Sequence, residues 1–357
     1  MRWTRGCGRK EAERMEKNER LLEVNDLAVS FFTYAGEVQA VRGISWHLNR
    51  HETIALVGES GCGKSVTIQT VMGLLQSPGR VIGGSVRFEG RDMLALNAKE
   101  LRQIQGNCMS MIFQDPLSYL NPTMRVGEQI AESYRLHHRV SRAEAEARVL
   151  EMMRLISFPE PERNMRAYPH QLSGGMRQRI MVAMALICNP QVLFADEPTT
   201  ALDVTIQAQI IELMNSLKEK LNTAIVLITH DLGVVANMAQ RIYVMYAGKI
   251  VERGSAQDIF YRSKHPYTWG LLASVPRLDA EQSRDFRYIP GTPPDLLNPP
   301  RGCPFAARCR YACRACVNDM PEETAFDTQD HRASCWLYHP GAEALLAAAQ
   351  RERGNQP

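Results

Sequence analysis

The stretch TIALVGESGCGKS, residues 53–65, joins an apolar, strand-like run to a glycine-rich loop. The loop fits the pattern G-x-x-x-x-G-K-[ST]. Glycines allow backbone N–H groups to surround an anion at the N-terminus of the next helix, where the dipole also favours negative charge. We therefore expect a phosphate-binding loop followed by a helix from Ser65 to about Leu75. Every residue of the loop is a candidate nucleotide contact: Gly58, Glu59, Ser60, Gly61, Cys62, Gly63, Lys64 and Ser65.

Three later strand-like runs end in polar side chains that suit a bound nucleotide: Gln114, Asp196 with Glu197, and His230. Gln114 either contacts Mg²⁺ or water, or is a solvated loop residue. The run VLFADE is a Walker B pattern, in which Asp196 binds Mg²⁺ through water and Glu197 polarises an attacking water. Together with Lys64 at the β- and γ-phosphates and Ser65 at Mg²⁺, these residues predict a nucleotide site in which water is positioned for attack on a phosphate. His230 would lie at the γ-phosphate, and the alternative is a structural histidine.

The length and composition of the chain are those of a globular protein. Its 357 residues can form one large domain with an appendage, or two domains. Hydrophobic residues make up 45% and charged residues 23%, which is typical of soluble globular proteins. The net charge of +3 gives no indication of a basic surface for binding nucleic acid. No apolar run approaches the roughly 18 residues of a membrane span, so any membrane role is peripheral.

The two ends of the chain differ in character from its middle. Residues 1–20 are polar and lack the apolar core of a secretory signal, which favours a disordered or mis-annotated extension with Met15 as an alternative start to Met1. Nine cysteines without an export signal indicate a reducing cytoplasm rather than a disulfide framework. Five of them crowd the C-terminal part: Cys303, Cys309, Cys313, Cys316 and Cys335.

The N-terminal part is strand-like, with an alternating pattern and a turn between residues 22 and 47. This predicts an antiparallel patch that leads into a parallel core. Tyr34, next to the turn, either stacks on an adenine ring or is an ordinary exposed tyrosine. A glycine-rich turn at Gly83 and Gly84 is expected before the next strand.

A charge-rich helical insert follows at about residues 115–170. Within it, Ser141 and Glu144 form a capping-box pattern at the start of a helix. After the insert, Ser173 is expected to cap another helix, and Gly174 and Gly175 leave its backbone N–H groups bare. A bare helix N-terminus is an anion site. Since the chain already has one phosphate loop, this second site is expected to face a nucleotide on the phosphate loop of another subunit.

From Leu22 to Ser255 the chain resembles the ATP-binding cassette (ABC) ATPases, because their motifs occur here in order. The matching segments are Walker A (58–65), the Q-loop (Gln114), the signature LSGGM (172–176), Walker B (192–197), the D-loop (201–203, with Asp203 near the nucleotide) and the switch His230. The resemblance implies an α/β P-loop fold with a mixed, mostly parallel sheet, an antiparallel β subdomain and a helical subdomain. The implied divisions are 1–20, 21–262 for the cassette, 263–345 for a Cys-rich C-terminal domain, and 346–357.

Within that class the chain resembles ATPase subunits of oligopeptide, dipeptide and nickel importers. The resemblance is carried by IFQDPLSYLNP (112–122), HPYTWGLL (265–272) and PGTPPDLLNPPRGCPFAARC (290–309). It implies a second, paralogous ATPase subunit, two membrane permeases and an extracytoplasmic binding protein, with this chain on the cytoplasmic side of the inner membrane. A soluble ABC ATPase acting on nucleic acid or ribosomes is the competing interpretation.

The C-terminal cysteines form the series Cys-x5-Cys-x6-Cys-x18-Cys at Cys303, Cys309, Cys316 and Cys335. Four thiolates suit zinc or an iron–sulfur cluster, but the short Cys-x2-Cys knuckles typical of structural zinc are missing. The resemblance to dipeptide importer ATPases implies a 4Fe-4S cluster, with zinc and unmetallated thiols as the alternatives. Cys313 falls outside the series.

Overall fold

The computed structural model describes residues 20–115, 119–199, 203–275, 289–326 and 330–354. The N-terminal extension and the D-loop residues 201–202 lie outside the described residues. Two sheets form the framework, one antiparallel and one mixed.

The antiparallel sheet has the strand order β2-β1-β4-β5. Its strands are β1 (Arg20–Thr33), β2 (Gly36–Asn49), β4 (Gly79–Phe88) and β5 (Arg91–Asp92). The predicted hairpin is present, but the expected turn at Gly83 and Gly84 is wrong because both residues lie inside β4. Gly84 has φ of 90°, and an added Cβ there would lie 2.4 Å from the Asp26 carbonyl oxygen. The glycine serves a bulge, where the register of β1 against β4 shifts.

The mixed sheet has the order β11-β12-β10-β9-β3-β8-β7-β6. Its strands are β3 (Thr53–Val57), β6 (Met109–Ile112), β7 (Val192–Asp196), β8 (Ala224–Thr229), β9 (Arg241–Tyr246), β10 (Lys249–Ser255), β11 (Glu323–Ala325) and β12 (Arg332–Ser334). The five strands from β9 to β6 pair in parallel, and the remaining pairs are antiparallel. The prediction of a mixed, mostly parallel core sheet is confirmed.

The helices of the cassette surround this sheet. They are α1 (Lys64–Val71), α2 (Ala98–Ile104), α3 (Val126–Arg135), α4 (Arg142–Leu155), α5 (Pro161–Asn164), α6 (Gly174–Leu186), α7 (Val204–Leu221), α8 (Leu232–Met238) and α9 (Ala256–Arg262). α1 ends four residues before the predicted Leu75, because Gly73 takes a left-handed φ of 68° just after its last turn. The capping box of Ser141 and Glu144 at α4 is confirmed.

The core lies on both faces of the mixed sheet. Alternate residues of β3 face opposite sides: Ala55 and Val57 pack with the helices of the insert, while Ile54 and Leu56 pack towards α1 and the antiparallel sheet. A strand that is covered on both faces needs a continuous apolar run, which explains the TIALV sequence.

The C-terminal region consists of α10 (Pro266–Ala273), α11 (Arg314–Asn318), α12 (Glu343–Gly354) and the strands β11 and β12. β12 pairs with β10, so this region extends the cassette sheet instead of forming a sheet of its own. Buried Glu252 on β10 supports the junction, since its carboxylate accepts hydrogen bonds from the backbone N–H groups of Lys264 and His265 and lies 3.0 Å from His331 Nε2. A domain boundary at residue 263 stays a prediction.

Candidate nucleotide-binding and hydrolysis site

The phosphate loop runs from the carboxyl end of β3 into α1, and two of its glycines have no room for a side chain. A Cβ on Gly58 would lie 2.2 Å from the Met245 carbonyl oxygen. A Cβ on Gly63, where φ is 103°, would lie 2.4 Å from the Ala40 carbonyl oxygen. The loop is therefore wedged between β9 and β2, and only glycine permits this approach.

Lys64 is folded back into its own loop. Its Nζ donates to the carbonyl oxygens of Gly58, at 2.7 Å, and Glu59, at 2.9 Å, and lies 3.7 Å from Cys62 Sγ. The side chain is buried, so its charge is balanced by backbone dipoles. A polyphosphate bound in the loop would replace these carbonyl oxygens as the partner of the ammonium group.

Ser65 and Asp196 meet at the start of α1 and the end of β7. The Ser65 hydroxyl donates to Asp196 Oδ1 over 3.1 Å, and burial raises the pKa of this carboxyl group. A hydroxyl and a carboxylate oxygen are hard ligands of the kind that Mg²⁺ takes beside phosphate oxygens and water. These two side chains fit the predicted Mg²⁺ site.

Glu197 is the centre of a second cluster at the same end of the sheet. Gln114 Nε2 donates to Glu197 Oε2 over 2.8 Å, and His230 Nδ1 lies 3.1 Å from Glu197 Oε1. These residues follow β6, β7 and β8, which are parallel neighbours, so the sheet itself brings them together. The structure thus joins the three predicted catalytic side chains, with the carboxylate held on both oxygens.

The remaining predicted contacts lie apart from this cluster. Tyr34 is fully exposed at the hairpin between β1 and β2, which fits either alternative. Ser173 Oγ accepts from the Met176 N–H and caps α6, as predicted. Gly175 lies against Ile206, where an added Cβ would approach its Cγ2 to 2.9 Å, and Asp203 caps α7. The bare start of α6 is thus fixed on α7.

A second group of contacts to the phosphate loop comes from the C-terminal region and is not predicted by the sequence motifs. The Glu59 N–H donates to the Tyr267 hydroxyl over 2.9 Å, and the Glu59 carboxylate pairs with Arg308 at 2.6 Å. Tyr267 lies in the HPYTWGLL stretch, which the sequence marks only through the family resemblance and not as a contact of the phosphate loop. Arg308 precedes Cys309, and a pairing over 249 residues leaves no local pattern.

All five C-terminal cysteines line one cavity of about 20 Å³. Burial raises the pKa of Cys303 to about 11 and that of Cys309 to about 12. Cys313 belongs to this set, with its Sγ 3.6 Å from Cys316 Sγ, so geometry does not separate it from the other four. Within the described ranges, no group of three or more His, Cys, Asp or Glu side chains is arranged to hold a metal ion.

This fold and site define a P-loop nucleotide hydrolase of the ATP-binding cassette class. The family model for ABC transporters matches residues 41–200, and the model for the oligopeptide/dipeptide transporter C-terminal region matches residues 251–316. A similar solved structure is the ATP-binding cassette MJ0796 in a dimeric post-hydrolysis state with ADP and Pi. It has a TM-score of 0.60 and 25% identity, and covers 66% of this chain and 98% of that one.

The similar sequences narrow the class to a family. The oligopeptide transport ATP-binding protein OppD of Bacillus subtilis is 54% identical, over 90% of both chains. The dipeptide transport ATP-binding protein DppD of the same organism is 53% identical, over 94% of this chain and 100% of that protein. OppD of Salmonella typhimurium is 54% identical, over 85% of this chain and 90% of its own length. The chain belongs to this family of ABC transporter ATP-binding proteins and is an ATPase.

Proposed function

We propose that this chain hydrolyses ATP to energise the import of dipeptides or oligopeptides through partner permeases, from the cytoplasmic face of the membrane. The observation that carries the proposal is the meeting of two clusters at the carboxyl ends of parallel strands, Ser65 with Asp196 and Glu197 with Gln114 and His230. The peptide cargo is taken from the printed names of the relatives. Among the helices of the described ranges, none combines the length and apolarity needed to cross a bilayer.

The first part of the mechanism is binding. Lys64 exchanges the carbonyl oxygens of Gly58 and Glu59 for the β- and γ-phosphates, while the N–H groups of the loop surround them. Ser65 and Asp196 would hold Mg²⁺, which would supply charge neutralisation at the phosphates. Tyr34 is an adenine-stacking candidate at the hairpin.

The second part is positioning of the attacking water. Glu197 orients this water and accepts its proton, and Gln114 and His230 fix the carboxylate by contacting both of its oxygens. His230 also contacts the γ-phosphate. Catalysis is mainly positioning and charge stabilisation.

A second subunit completes each site. The bare start of α6, with Ser173, Gly174 and Gly175, faces the γ-phosphate on the phosphate loop of a partner cassette, near Asp203. The dimeric state of the MJ0796 cassette with ADP and Pi supports this arrangement. The partner is a paralogue, and closure of the pair moves the helical insert, α3 to α5, against the two permeases, with Gln114 coupling the two events. An extracytoplasmic binding protein delivers the cargo.

The cysteine-lined cavity is a candidate for a 4Fe-4S cluster held by Cys303, Cys309, Cys316 and Cys335. Support comes from the soft donor set that surrounds one cavity. Loading requires the thiols to lose their protons and the cavity of about 20 Å³ to widen around the cluster. The test is to measure the iron, labile sulfide and zinc content of anaerobically purified protein. Iron with labile sulfide would support the cluster, and zinc without iron would support the zinc alternative. Protein that contains neither metal would indicate a structural group of buried thiols.

The relatives give no support to the competing ATPase on nucleic acid or ribosomes, and nickel remains the alternative cargo of the same transporter class. The test is to tag this chain, solubilise native membranes gently and identify the co-purifying proteins. Two multi-span permeases and a second cassette subunit are the expected result. Recovery of the chain alone, or with DNA or ribosomes, would contradict the proposal.

A further inference from the structure

Arg308, in the C-terminal region, is bound to the phosphate loop by a two-pronged ion pair. Its Nη1 donates to Glu59 Oε2 over 2.6 Å and its Nη2 donates to Glu59 Oε1 over 3.1 Å. This is the bidentate arrangement in which the planar guanidinium matches a carboxylate. Glu59 is the second residue of the loop GESGCGKS, so the contact reaches the nucleotide site directly.

The guanidinium itself is fully occupied and almost fully buried. Beyond Glu59, Nη1 donates to the Tyr246 hydroxyl, Nη2 to the Ile289 carbonyl oxygen and Nε to the Pro290 carbonyl oxygen. These contacts use all the N–H donors of arginine, and the side chain is only 6% exposed. These contacts fix the orientation of the guanidinium and direct one N–H of Nη1 and one of Nη2 to Glu59.

The backbone of Glu59 is fixed by the same region. Its N–H donates to the hydroxyl of Tyr267, a fully buried residue of α10. The Tyr267 ring packs against Tyr246 and Phe305, with ring centroids 4.6 and 5.3 Å apart. Aromatic packing of this kind makes the hydroxyl a rigid acceptor.

Glu59 also connects to the residue that binds phosphate. Its carbonyl oxygen accepts from Lys64 Nζ over 2.9 Å. The contacts therefore form an unbroken series from Arg308 and Tyr267 through both ends of Glu59 to the Lys64 ammonium. A shift of Glu59 changes the position of the carbonyl that holds Lys64.

We propose that Arg308 is a positioning residue for nucleotide binding, which holds the phosphate loop in its binding geometry through Glu59. The proposal rests on the assignment of the loop to ATP. The C-terminal region therefore contributes to the ATPase site, because the Arg308 guanidinium that fixes the loop lies outside the cassette motifs. Arg308 also directly precedes Cys309, one of the residues that line the cysteine-lined cavity.

The experiment is a double-mutant cycle on the full-length protein: Arg308→Gln, Glu59→Gln and the double variant. The matched control is Arg310→Gln, since Arg310 is 71% exposed, two residues along the same segment, and only 3.7 Å from Glu352. Arg308→Lys retains the positive charge but cannot form the bidentate contact with the Glu59 carboxylate. Each variant is measured for equilibrium binding of a non-hydrolysable ATP analogue with Mg²⁺, for kcat and KM, and for thermal unfolding without nucleotide.

The expected result is that Arg308→Gln weakens analogue binding about tenfold, the size of one charge-assisted contact. Because the residue positions the loop and does not touch the reacting atoms, KM rises while kcat changes by less than about twofold. Arg308→Lys recovers part of the affinity, and Arg310→Gln binds like the unchanged protein. The double variant is no weaker than Arg308→Gln alone, since both changes break one contact.

Three results would overturn the proposal. They are unchanged binding by folded Arg308→Gln, equal losses in Arg308→Gln and Arg310→Gln, or fully additive losses from Glu59→Gln and Arg308→Gln. If Arg308→Gln does not fold, Arg308→Lys and Glu59→Gln decide between the same outcomes. Lys64→Ala shows whether the loop binds ATP at all. If Lys64→Ala leaves analogue binding intact, the assignment of the loop to ATP is wrong. If Lys64→Ala abolishes binding and one of the three results above is found, only the role of Arg308 is wrong.

Discussion

The phosphate loop has two supports that differ in how far they lie from it along the chain. Within the cassette, β3, α1 and Asp196 fix the loop through the residues that define the nucleotide motifs. The C-terminal region fixes it through Tyr267 and Arg308, both about 200 residues or more from Glu59. The motifs therefore account for the chemistry of the site, while part of its geometry depends on a region outside the cassette.

The two supports should fail differently. The cassette side holds the groups that act on the γ-phosphate and on water, so changes there should reduce turnover. The C-terminal side contacts the loop through Glu59, which does not act on the γ-phosphate or on water, so changes there should reduce affinity and leave the chemical step nearly intact.

The largest effect is expected at Glu197, on the cassette side. Glu197→Gln retains the size of the side chain and its contact sites but removes the proton acceptor. We expect kcat to fall by roughly 10² to 10⁴ while ATP remains bound, as for loss of a general base. Steady-state hydrolysis measured beside analogue binding checks both parts, and full activity in this variant would remove Glu197 from the mechanism.

A smaller effect is expected at Ser65. Ser65→Ala removes the hydroxyl that lies 3.1 Å from Asp196 Oδ1 and that serves as a Mg²⁺ ligand in our account. The Mg²⁺ concentration for half-maximal hydrolysis should rise by about 10-fold or more, in line with losses seen around metal sites. A titration with Mg²⁺ at saturating ATP measures it. An unchanged midpoint would place the metal elsewhere.

The smallest effect is expected at Tyr267, on the C-terminal side. Tyr267→Phe keeps the ring packing against Tyr246 and Phe305 and removes only the acceptor of the Glu59 N–H. The loss is one neutral hydrogen bond of about 1 kcal/mol, so we expect a few-fold weaker nucleotide binding, up to about fivefold, and nearly unchanged kcat.

If Tyr267→Phe lowered kcat more than it lowered nucleotide affinity, the expectation that the C-terminal side affects mainly affinity would be wrong. Leu271→Val, at a partly buried position on the same helix α10, is the packing control.

Sequence reasoning predicted what depends on neighbours in the chain. The parallel strands ending in Gln114, Glu197 and His230 follow from apolar runs, and the caps at Ser141 and Ser173 follow from local hydrogen bonding. The nucleotide residues could be located because phosphate chemistry requires fixed residue types at fixed spacing.

What the sequence did not predict depends on contacts across the fold. The local pattern favours a turn at Gly84, because the bulge that this glycine serves is visible only against β1. The joining of β12 to β10 and the pairing of Arg308 with Glu59 bring together residues far apart in the chain, and neither leaves a periodic pattern. Spacing alone separates Cys313 from the other four cysteines, whereas the fold places all five in the same cavity.

Peptide import is best tested by measuring uptake of a labelled dipeptide into vesicles that contain the purified transporter and its binding protein. We expect ATP-dependent accumulation with the unchanged chain and none with Glu197→Gln, although ATP binds to both. Accumulation that persists with Glu197→Gln, or ATP hydrolysis by the unchanged complex without uptake of any dipeptide or oligopeptide, would contradict the account.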